Sequence, residues 1–547
     1  MIRQKIKDLI NYPDAVIERP ENKNFGDYST NVALKLAKKE KKNPMDLAKE
    51  IAEKLASSQD AIFAKIEAVP PGFINFTLSN GYLQKQISEI LAGKEQYRKI
   101  NVGQGQKVQV EFISANPTGP LTLGNGRGGF FGDVLANVLA TVGYKVKREY
   151  FINDAGYQIE ILGYSVLKDS KAQYRGDYID RLHKKFICWF CTKDPKKVGK
   201  KAADCIIKKI IQPTIEDKMK IRFDAWTSEN ELRQSGKKDK VLELLKEKNL
   251  TYGQDGAVWF KSTQFGDDKD RVLITSTKED REQSATYLLP DAAYHYKKFV
   301  EDKFDKVIDI WGADHHGYVA RLQAAGKALG VWDESNLKII IMQLVRLFEG
   351  GKEVKMSKRA GTYITLDELL DEIPLDVARW FFLMRSPDTH MDFDLDLAKE
   401  QSEKNPVYYV QYAYARLCAI MRKAGKSRST NYKLQTPNFK LLEHRAELDL
   451  IKQLIRLPEV VEDTAKDYQV HRLPQYALDL VRAFHKFYEE CRVLPALNRA
   501  EGSGLGSDKS DDINEATSQA RLGLCEATKI VLKNTLDLMG ISAPEKM

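Results

Sequence analysis

Val108-Gln109-Val110-Glu111-Phe112-Ile113 is the stretch that decides the fold. It reads as a short β-run. A Pro/Gly turn follows, Ser114-Ala115-Asn116-Pro117-Thr118-Gly119-Pro120-Leu121-Thr122-Leu123-Gly124-Asn125-Gly126-Arg127. From about Arg127 to Val142 apolar residues recur at helical spacing, and Lys145–Ile152 returns to a strand pattern. Together these make a βαβ unit. Further strand candidates lie at Lys306–Trp311 and Leu337–Met342. Strands alternating with helices predict an α/β, doubly wound parallel sheet with helices on both faces. In such a sheet a ligand sits at the strand carboxyl ends, with phosphates near a helix N-terminus. Gly124 and Gly126 would let backbone and ligand approach closely, although a Gly-x-Gly is also common in ordinary βα loops. Between the two halves, about 165–270, the composition turns lysine-rich and helical. This part is expected to be an insertion into the α/β domain.

On either side the texture changes. Residues 1–90 are expected to form a small α+β domain. Helical signals cover 31–39 and 45–56, with Asn43-Pro44 as a cap and first-turn proline between them, and Gly72–Leu78 is strand-like. The polar stretch Gly93–Gln106 is expected to be a linker to a catalytic domain at 105–395. From 400 to 547 strand signals fade. Val407–Met421, Leu448–Asp467 (interrupted by Pro458), Leu473–Arg492 and Glu515–Leu538 predict a helical bundle. Val481, Phe484, Phe487 and Tyr488 mark a buried face there, and the glycine-rich Glu501–Asp512 reads as a loop.

A chain of 547 residues is too long for one core, and 43% hydrophobic with 30% charged residues is the composition of a soluble globular protein. The formal charge of +9 is compatible with nucleic acid. No apolar run approaches the roughly 18–20 residues that span a bilayer. Met1-Ile2-Arg3-Gln4-Lys5 leads into no signal-type stretch, so a cytoplasmic protein is expected. The six cysteines are sparse. His183, Cys188, Cys191 and Cys205 fall within 23 residues. Their second pair lacks the close spacing of zinc sites, and core-facing thiols are the preferred reading, so no metal site is expected.

Lys355-Met356-Ser357-Lys358-Arg359-Ala360-Gly361 suits a mobile loop that grips a polyphosphate. A lysine is a compact point charge on a flexible stem and can follow phosphate charge as it moves. Alone, such a run is more often just a solvated surface.

With these motifs in order, the chain resembles the class I aminoacyl-tRNA synthetases, specifically the bacterial-type arginyl-tRNA synthetases. The Ser114–Arg127 loop resembles that family's His-Ile-Gly-His signature, and the lysine loop its Lys-Met-Ser-Lys-Ser signature. Further matches are Tyr150–Gly156, Tyr287–His295 and Trp311–Arg321, with Phe25–Asn31 and Pro71–Asn75 in the N-terminal domain and Val407–Ala413 and Ile541–Met547 in an anticodon-binding bundle. The resemblance implies an enzyme of protein biosynthesis. It activates L-arginine with ATP, releasing pyrophosphate, and transfers the arginyl group to the 3′ end of tRNA-Arg, with Mg²⁺ on the triphosphate. Both nucleophiles are substrates, so the protein must position them and neutralise charge. The resemblance implies that Lys355, Lys358, Thr122 and Asn125 serve catalysis, and that Ala115, Pro120, Thr122, Gly124, Asn125, Lys355, Met356, Ser357 and Lys358 bind ATP. It places Tyr287 and Asp291 at the arginine side chain with Glu111 nearby, Ser114 and Asn116 at the amino-acid backbone, and His315 close by. A carboxylate is the natural partner of a guanidinium, although Asp291 could instead cap a helix starting at Ala292.

In one respect the chain departs from the family. Thr122-Leu123-Gly124-Asn125 stands where the signature has its two histidines. Thr and Asn can donate hydrogen bonds but cannot become cationic. Losing one such transition-state donor can cost roughly 10²–10³ in rate. Either the site compensates, through Arg127 or the lysine loop, or the chain is a catalytically impaired tRNA-binding paralogue. A related nucleotidyl-transfer enzyme is a third reading. A second departure is Ser284-Ala285-Thr286 after the charged Lys278–Glu282, where the family has a shorter turn; this bears on specificity. For tRNA, the Lys38–Lys42 cluster could meet the elbow backbone, and Tyr409, Tyr412 and Met547 the anticodon. The resemblance also implies that activation needs bound tRNA. A monomer is expected.

Overall fold

The computed structural model describes residues 1–57, 61–187, 193–276, 284–354, 364–426, 437–495 and 513–547. At its centre are five parallel strands in the order Leu337–Met342, Lys306–Gly312, Lys107–Glu111, Lys145–Ile152 and Ala225–Ser228. Their buried positions are largely apolar, as expected of a sheet covered on both faces, but Gln109, Glu111, Glu149 and Asp309 are buried among them. The chain order runs outward in both directions from Lys107–Glu111. The topological switch point therefore lies between that strand and Lys306–Gly312.

The helix Leu123–Thr141 begins four residues earlier than its apolar pattern suggests. Thr122 caps it: its side chain accepts from the Asn125 amide, while the Asn125 side chain accepts from the Thr122 amide. The glycines that read as loop lie inside its first turn. Gly126 faces Leu366 so closely that a Cβ would come within 2.6 Å of Leu366 Cδ1. The middle of this helix is tied down by Arg379, which donates to Asp133 Oδ2 at 2.8 Å and to the Met539 carbonyl at 3.2 Å.

The region expected to be a helical insertion is more varied. It holds the helices Asp177–Ile187 and Pro195–Ile206, but also the edge strand Ala225–Ser228 of the central sheet. Three further antiparallel strands, Thr251–Gln254, Ala257–Phe260 and Arg271–Ile274, form a separate small sheet. The lysine-rich surface had masked both.

Residues Ile17–Leu78 carry a four-stranded antiparallel sheet with the helices Val32–Glu40 and Pro44–Ser57. Asn43 Oδ1 accepts from the Met45 amide at 2.8 Å, as the cap signal requires. This unit docks on the C-terminal helices: Arg3 Nη1 meets Asp463 Oδ1 at 2.6 Å, and the Tyr28 hydroxyl donates to Glu459 Oε1 at 2.9 Å. Lys94–Arg98, expected as linker, is a 3₁₀ turn held to Asn534 on the last helix. The bundle contains Pro406–Lys426, Arg445–Leu454, Leu457–Asp467, Arg472–Glu490 and Glu515–Met539. On its predicted apolar face Val481, Phe484 and Phe487 are buried, whereas Tyr488 is 39% exposed. Among the described residues no helix is long and apolar enough to cross a membrane.

Candidate active site

Two cavities open at the carboxyl edge of the central sheet. The larger, about 1090 Å³, is lined by Ser114, Asn116, Glu229, Tyr287, Asp291 and Tyr318 among others. The smaller, about 360 Å³, lies over Gly124, Trp311, Met342 and Leu344. They share Ile113, Thr122, Asn125, Gly312 and Asp314. The switch point of the sheet is thus the place where the two spaces meet.

The larger cavity is acidic on one side. Asp291 lies in the first turn of the helix Leu288–Tyr296 and is not its cap. Its Oδ2 accepts from the Tyr318 hydroxyl at 2.6 Å. Burial pushes its carboxyl above the usual range, against the lowering pull of Tyr318 and His295. Glu229 faces the same space. Burial also raises it, and Asp291 and Asp154 add to the rise, while Arg233 opposes. Arg233 Nε and Nη2 both donate to Glu229 Oε1, at 2.9 and 2.7 Å, leaving the second oxygen without a bond to them. Two carboxylates held partly against ionisation favour a cationic ligand. Tyr287, 64% exposed, stands at the rim, and His315 is exposed beside Trp311.

Glu111, expected near the arginine side chain, does not line this cavity. It is buried at the strand end, with Oε2 at 2.7 Å from Lys298 Nζ and Oε1 accepting from Ser114 Oγ at 3.3 Å. Lys298 also meets Asp309 Oδ1 at 3.0 Å, and Asp309 Oδ2 lies 2.7 Å from His295 Nε2. His295 Nδ1 in turn lies 2.8 Å from the main-chain carbonyl of Asp291. A continuous buried chain of polar contacts therefore links Ser114, on one side of the cavity, to Asp291 on the other. Burial would raise Asp309, but Lys298 and His295 outweigh it and hold the carboxyl at about 2. The chain also supports a strained turn. Ile113 (φ 67°) and Ser114 (φ 38°) are both left-handed, which a β-branched residue rarely adopts. Ser114 Oγ accepts from the Phe151 amide at 3.0 Å, and Asn153 Nδ2 donates to the Ser114 carbonyl at 3.1 Å, so the turn is over-determined.

At the junction, Thr122 and Asn125 are locked on each other. Arg127, considered as a replacement for the signature histidines, cannot serve. It is fully buried, its Nη1 and Nη2 donating to the carbonyls of Gln343 and Ser386 at 2.7 Å each. Ala115 lines the larger cavity and Gly124 the smaller, while Pro120 lines neither. Lys355, Met356, Ser357 and Lys358 lie outside the described residues, as do Cys188, Cys191, Lys278–Glu282 and Glu501–Asp512. The stem that follows the lysine loop is placed: Leu366 N donates to the Leu121 carbonyl at 2.9 Å, and Thr365 bridges Thr122. Ser284–Thr286 runs beside Arg271–Ile274, with Thr286 N bonded to the Leu273 carbonyl at 2.9 Å. His183 Nδ1 lies against the Val166 carbonyl at 2.7 Å, and Cys205 accepts from Lys185. Among the described residues no group of three or more His, Cys, Asp or Glu is arranged to hold a metal.

A further opening in the bundle, about 800 Å³, gathers Tyr412, Tyr488 and Met547 with Arg416, Arg422 and Lys546. Tyr412 is 49% exposed, and the Arg416 guanidinium lies over it at 5.0 Å and over Tyr488 at 5.4 Å. Tyr409 is different: it is half-buried and its hydroxyl bonds His485 Nδ1 at 2.9 Å.

Reading by sequence missed Glu229, Tyr318 and the Met342–Leu344 floor of the smaller cavity. A signal for Glu229 existed. Ser228-x-x-Glu231 is a helix-start pattern directly after the aromatic run Phe223–Trp226, and Ser228 does cap the following helix.

A parallel sheet of this order, with a capped glycine-rich helix start at its switch point, an acidic cavity on one side and Thr365–Leu366 bonded back to the same edge, defines a class I aminoacyl-tRNA synthetase. Three family models agree: an arginyl tRNA synthetase N-terminal domain at residues 1–78, a class I (R) synthetase catalytic domain at 86–182 and 165–379, and a DALR anticodon-binding domain at 410–547. The chain is 43% identical over 552 residues to the arginine–tRNA ligase of Bacillus subtilis, covering 98% of this chain and 95% of the relative. It is 42% identical to that of Bacillus licheniformis, covering 100% and 98%. The solved arginyl-tRNA synthetase of Thermus thermophilus has the same fold over the full length of both chains, at 20% identity and a TM-score of 0.74. The chain belongs to the bacterial-type arginyl-tRNA synthetases.

Proposed function

We propose that the larger cavity receives L-arginine and the smaller one the adenosine of ATP, so that the arginine carboxylate and the α-phosphate meet at Thr122, Asn125 and Gly312. The reaction is arginine–tRNA ligation: arginyl-adenylate forms with release of pyrophosphate, and the terminal ribose of tRNA-Arg then takes the arginyl group. Asp291 and Glu229 hold the guanidinium, with Tyr287 closing over it and Tyr318 orienting Asp291. Ser114 and Asn116 hold the amino-acid backbone, and His315 stands beside it. Glu111 acts through Ser114 and Lys298 as a support of the floor. Ala115 and Gly124 flank the nucleotide, and Lys355 and Lys358 grip the triphosphate. Mg²⁺ keeps most of its waters and needs only one or two carboxylates besides the phosphates. Asp314, exposed and shared by both cavities, fits that need. Bound there, Mg²⁺ would neutralise phosphate charge.

Tyr412, Tyr488 and Met547 form the anticodon surface, with Arg416, Arg422 and Lys546 supplying phosphate contacts. Tyr409 supports that surface through His485. The exposed Lys38–Lys42 meets the tRNA elbow. The protein works as a cytoplasmic monomer. The reading rests on one observation above the others, an acidic cavity and a second cavity sharing one wall at a helix N-terminus. Arginine-dependent exchange between pyrophosphate and ATP tests it, with and without tRNA-Arg, on the wild type and on Lys358→Ala. Exchange that needs tRNA and is lost in the variant is expected. Exchange indifferent to Lys358 would overturn it.

A further inference from the structure

The departure at the signature has a definite geometry. Asn125 Oδ1 lies 2.9 Å from Thr122 N and 2.9 Å from Thr122 Oγ1. A main-chain N–H can only donate, so the side-chain atom facing it must be the carbonyl oxygen. The orientation of this amide is therefore determined by chemistry, and Nδ2 is its other end. Among the described residues Nδ2 has no hydrogen-bond partner, and Asn125 lines both cavities. Thr122 is in the opposite position. Its one hydroxyl proton goes to Asn125 Oδ1, and its oxygen accepts from Asn125 N at 3.4 Å. Thr122 has no donor left for a phosphate.

We infer a division of labour that the histidine pair of the family does not have. Asn125 supplies a single, fixed, uncharged donor to the reacting phosphate, and Thr122 is a positioning residue that holds the amide in that direction. This rests on the reading of the junction as the phosphate site. Two consequences follow. A neutral amide has no titration in the physiological range, whereas a histidine titrates near pH 6.5. The signature contribution to the rate is then independent of pH. The donor is also preorganised: two bonds to Oδ1 prevent rotation of the amide, so no reorganisation is needed as charge develops.

The test uses the full-length enzyme with tRNA-Arg and saturating arginine, measuring kcat and KM for ATP between pH 5.5 and 8.5. Asn125→Asp is the decisive variant. It keeps the oxygen that caps the helix and places an acid in the first turn, which favours the helix, but it replaces the donor with an anionic acceptor. A capping role alone predicts wild-type kcat for Asn125→Asp. The donor role predicts a fall of roughly 10²–10³ with an unchanged thermal midpoint. Asn125→His should fold, and its kcat should gain a limb titrating near the imidazole range, absent from the wild type. Thr122→Val should lower kcat more than it changes KM for ATP, and Thr122→Ser, which restores the hydroxyl, should recover most of the loss. Lys358→Ala separates the two levels. If it abolishes exchange while Asn125→Asp retains kcat, the phosphate-site reading stands and the donor role of Asn125 is overturned. If neither variant matters, the junction itself has been misread.

Discussion

Lys298→Met removes a charge from a place where it cannot be replaced by water. Lys298 is fully buried, with Nζ at 2.7 Å from Glu111 and 3.0 Å from Asp309. Methionine has nearly the same stem, so the cavity left behind is small. What is lost is the counter-charge of two buried carboxylates. Breaking a buried ion pair on one side costs about 3–5 kcal/mol, and the loss of two charge-assisted hydrogen bonds at roughly 1.5–3 kcal/mol each leads to the same range. The pH dependence has a definite sign. Burial already raises Glu111 above its usual pKa, against the lowering pull of Lys298. Without Lys298 it rises further. A carboxyl raised in the folded state contributes stability below its unfolded pKa and loses it as pH rises through the folded value. The variant should therefore be least handicapped near pH 5 and most handicapped above pH 7. Urea unfolding followed by tryptophan fluorescence measures this, since Trp332 lies 5.7 Å from His295 in the same region. A deficit under about 1 kcal/mol, equal at both pH values, would refute the account of this network. Because the network joins Ser114 to Asp291, KM for arginine should rise in the variant as well.

Asp291→Asn should raise KM for arginine by about 100-fold, on the scale of a truncated buried charge pair. In the wild type the raised Asp291 carboxyl predicts that kcat/KM for arginine falls with decreasing pH well before an ordinary aspartate, at about 3.9, would protonate; this limb should vanish in Asp291→Asn. Arg127→Met leaves the Gln343 and Ser386 carbonyls without their donor and should cost about 1–3 kcal/mol, read as a lower denaturation midpoint with a raised KM for ATP. Gly126→Ala forces the added methyl onto Leu366, and arginine activation should fall while tRNA binding, measured by filter retention, is unchanged. Arg416→Ala should weaken tRNA-Arg binding and reduce its salt dependence by about one unit of slope, with pyrophosphate exchange intact at saturating tRNA.

The βαβ core and the helical bundle were readable because their apolar periods are long, and Pro458 marks the one break, where the bundle stretch Leu448–Asp467 divides into the helices Arg445–Leu454 and Leu457–Asp467. Lys306–Gly312 and Leu337–Met342 fell within a residue of expectation for the same reason. The start of the helix Leu123–Thr141 was not readable, since glycines at 124, 126, 128 and 129 lower helix propensity; a tight tertiary fit accounts for two of them, Gly126 against Leu366 and Gly129 against Met219 and Ile113. The edge strand Ala225–Ser228 is four residues long and half-buried, so it leaves almost no period-two signal. Asp291, Tyr287 and Asn116 were named through resemblance, and all three line the larger cavity. Glu111 shows the limit of that route. The resemblance put it near the arginine side chain, whereas the structure buries it over Lys298, 187 residues away in sequence. Tyr409 and Tyr412 illustrate the same point on one helix: equal in sequence, one is engaged by His485 and the other is open to solvent with Arg416 above it.

The most direct test is charging itself: radiolabelled arginine, ATP, Mg²⁺ and tRNA-Arg with the wild type and with Asp291→Asn, counting acid-precipitable arginyl-tRNA. The wild type should charge tRNA, and the variant should do so only at far higher arginine. A wild type that binds tRNA-Arg tightly yet forms no arginyl-tRNA would contradict the account.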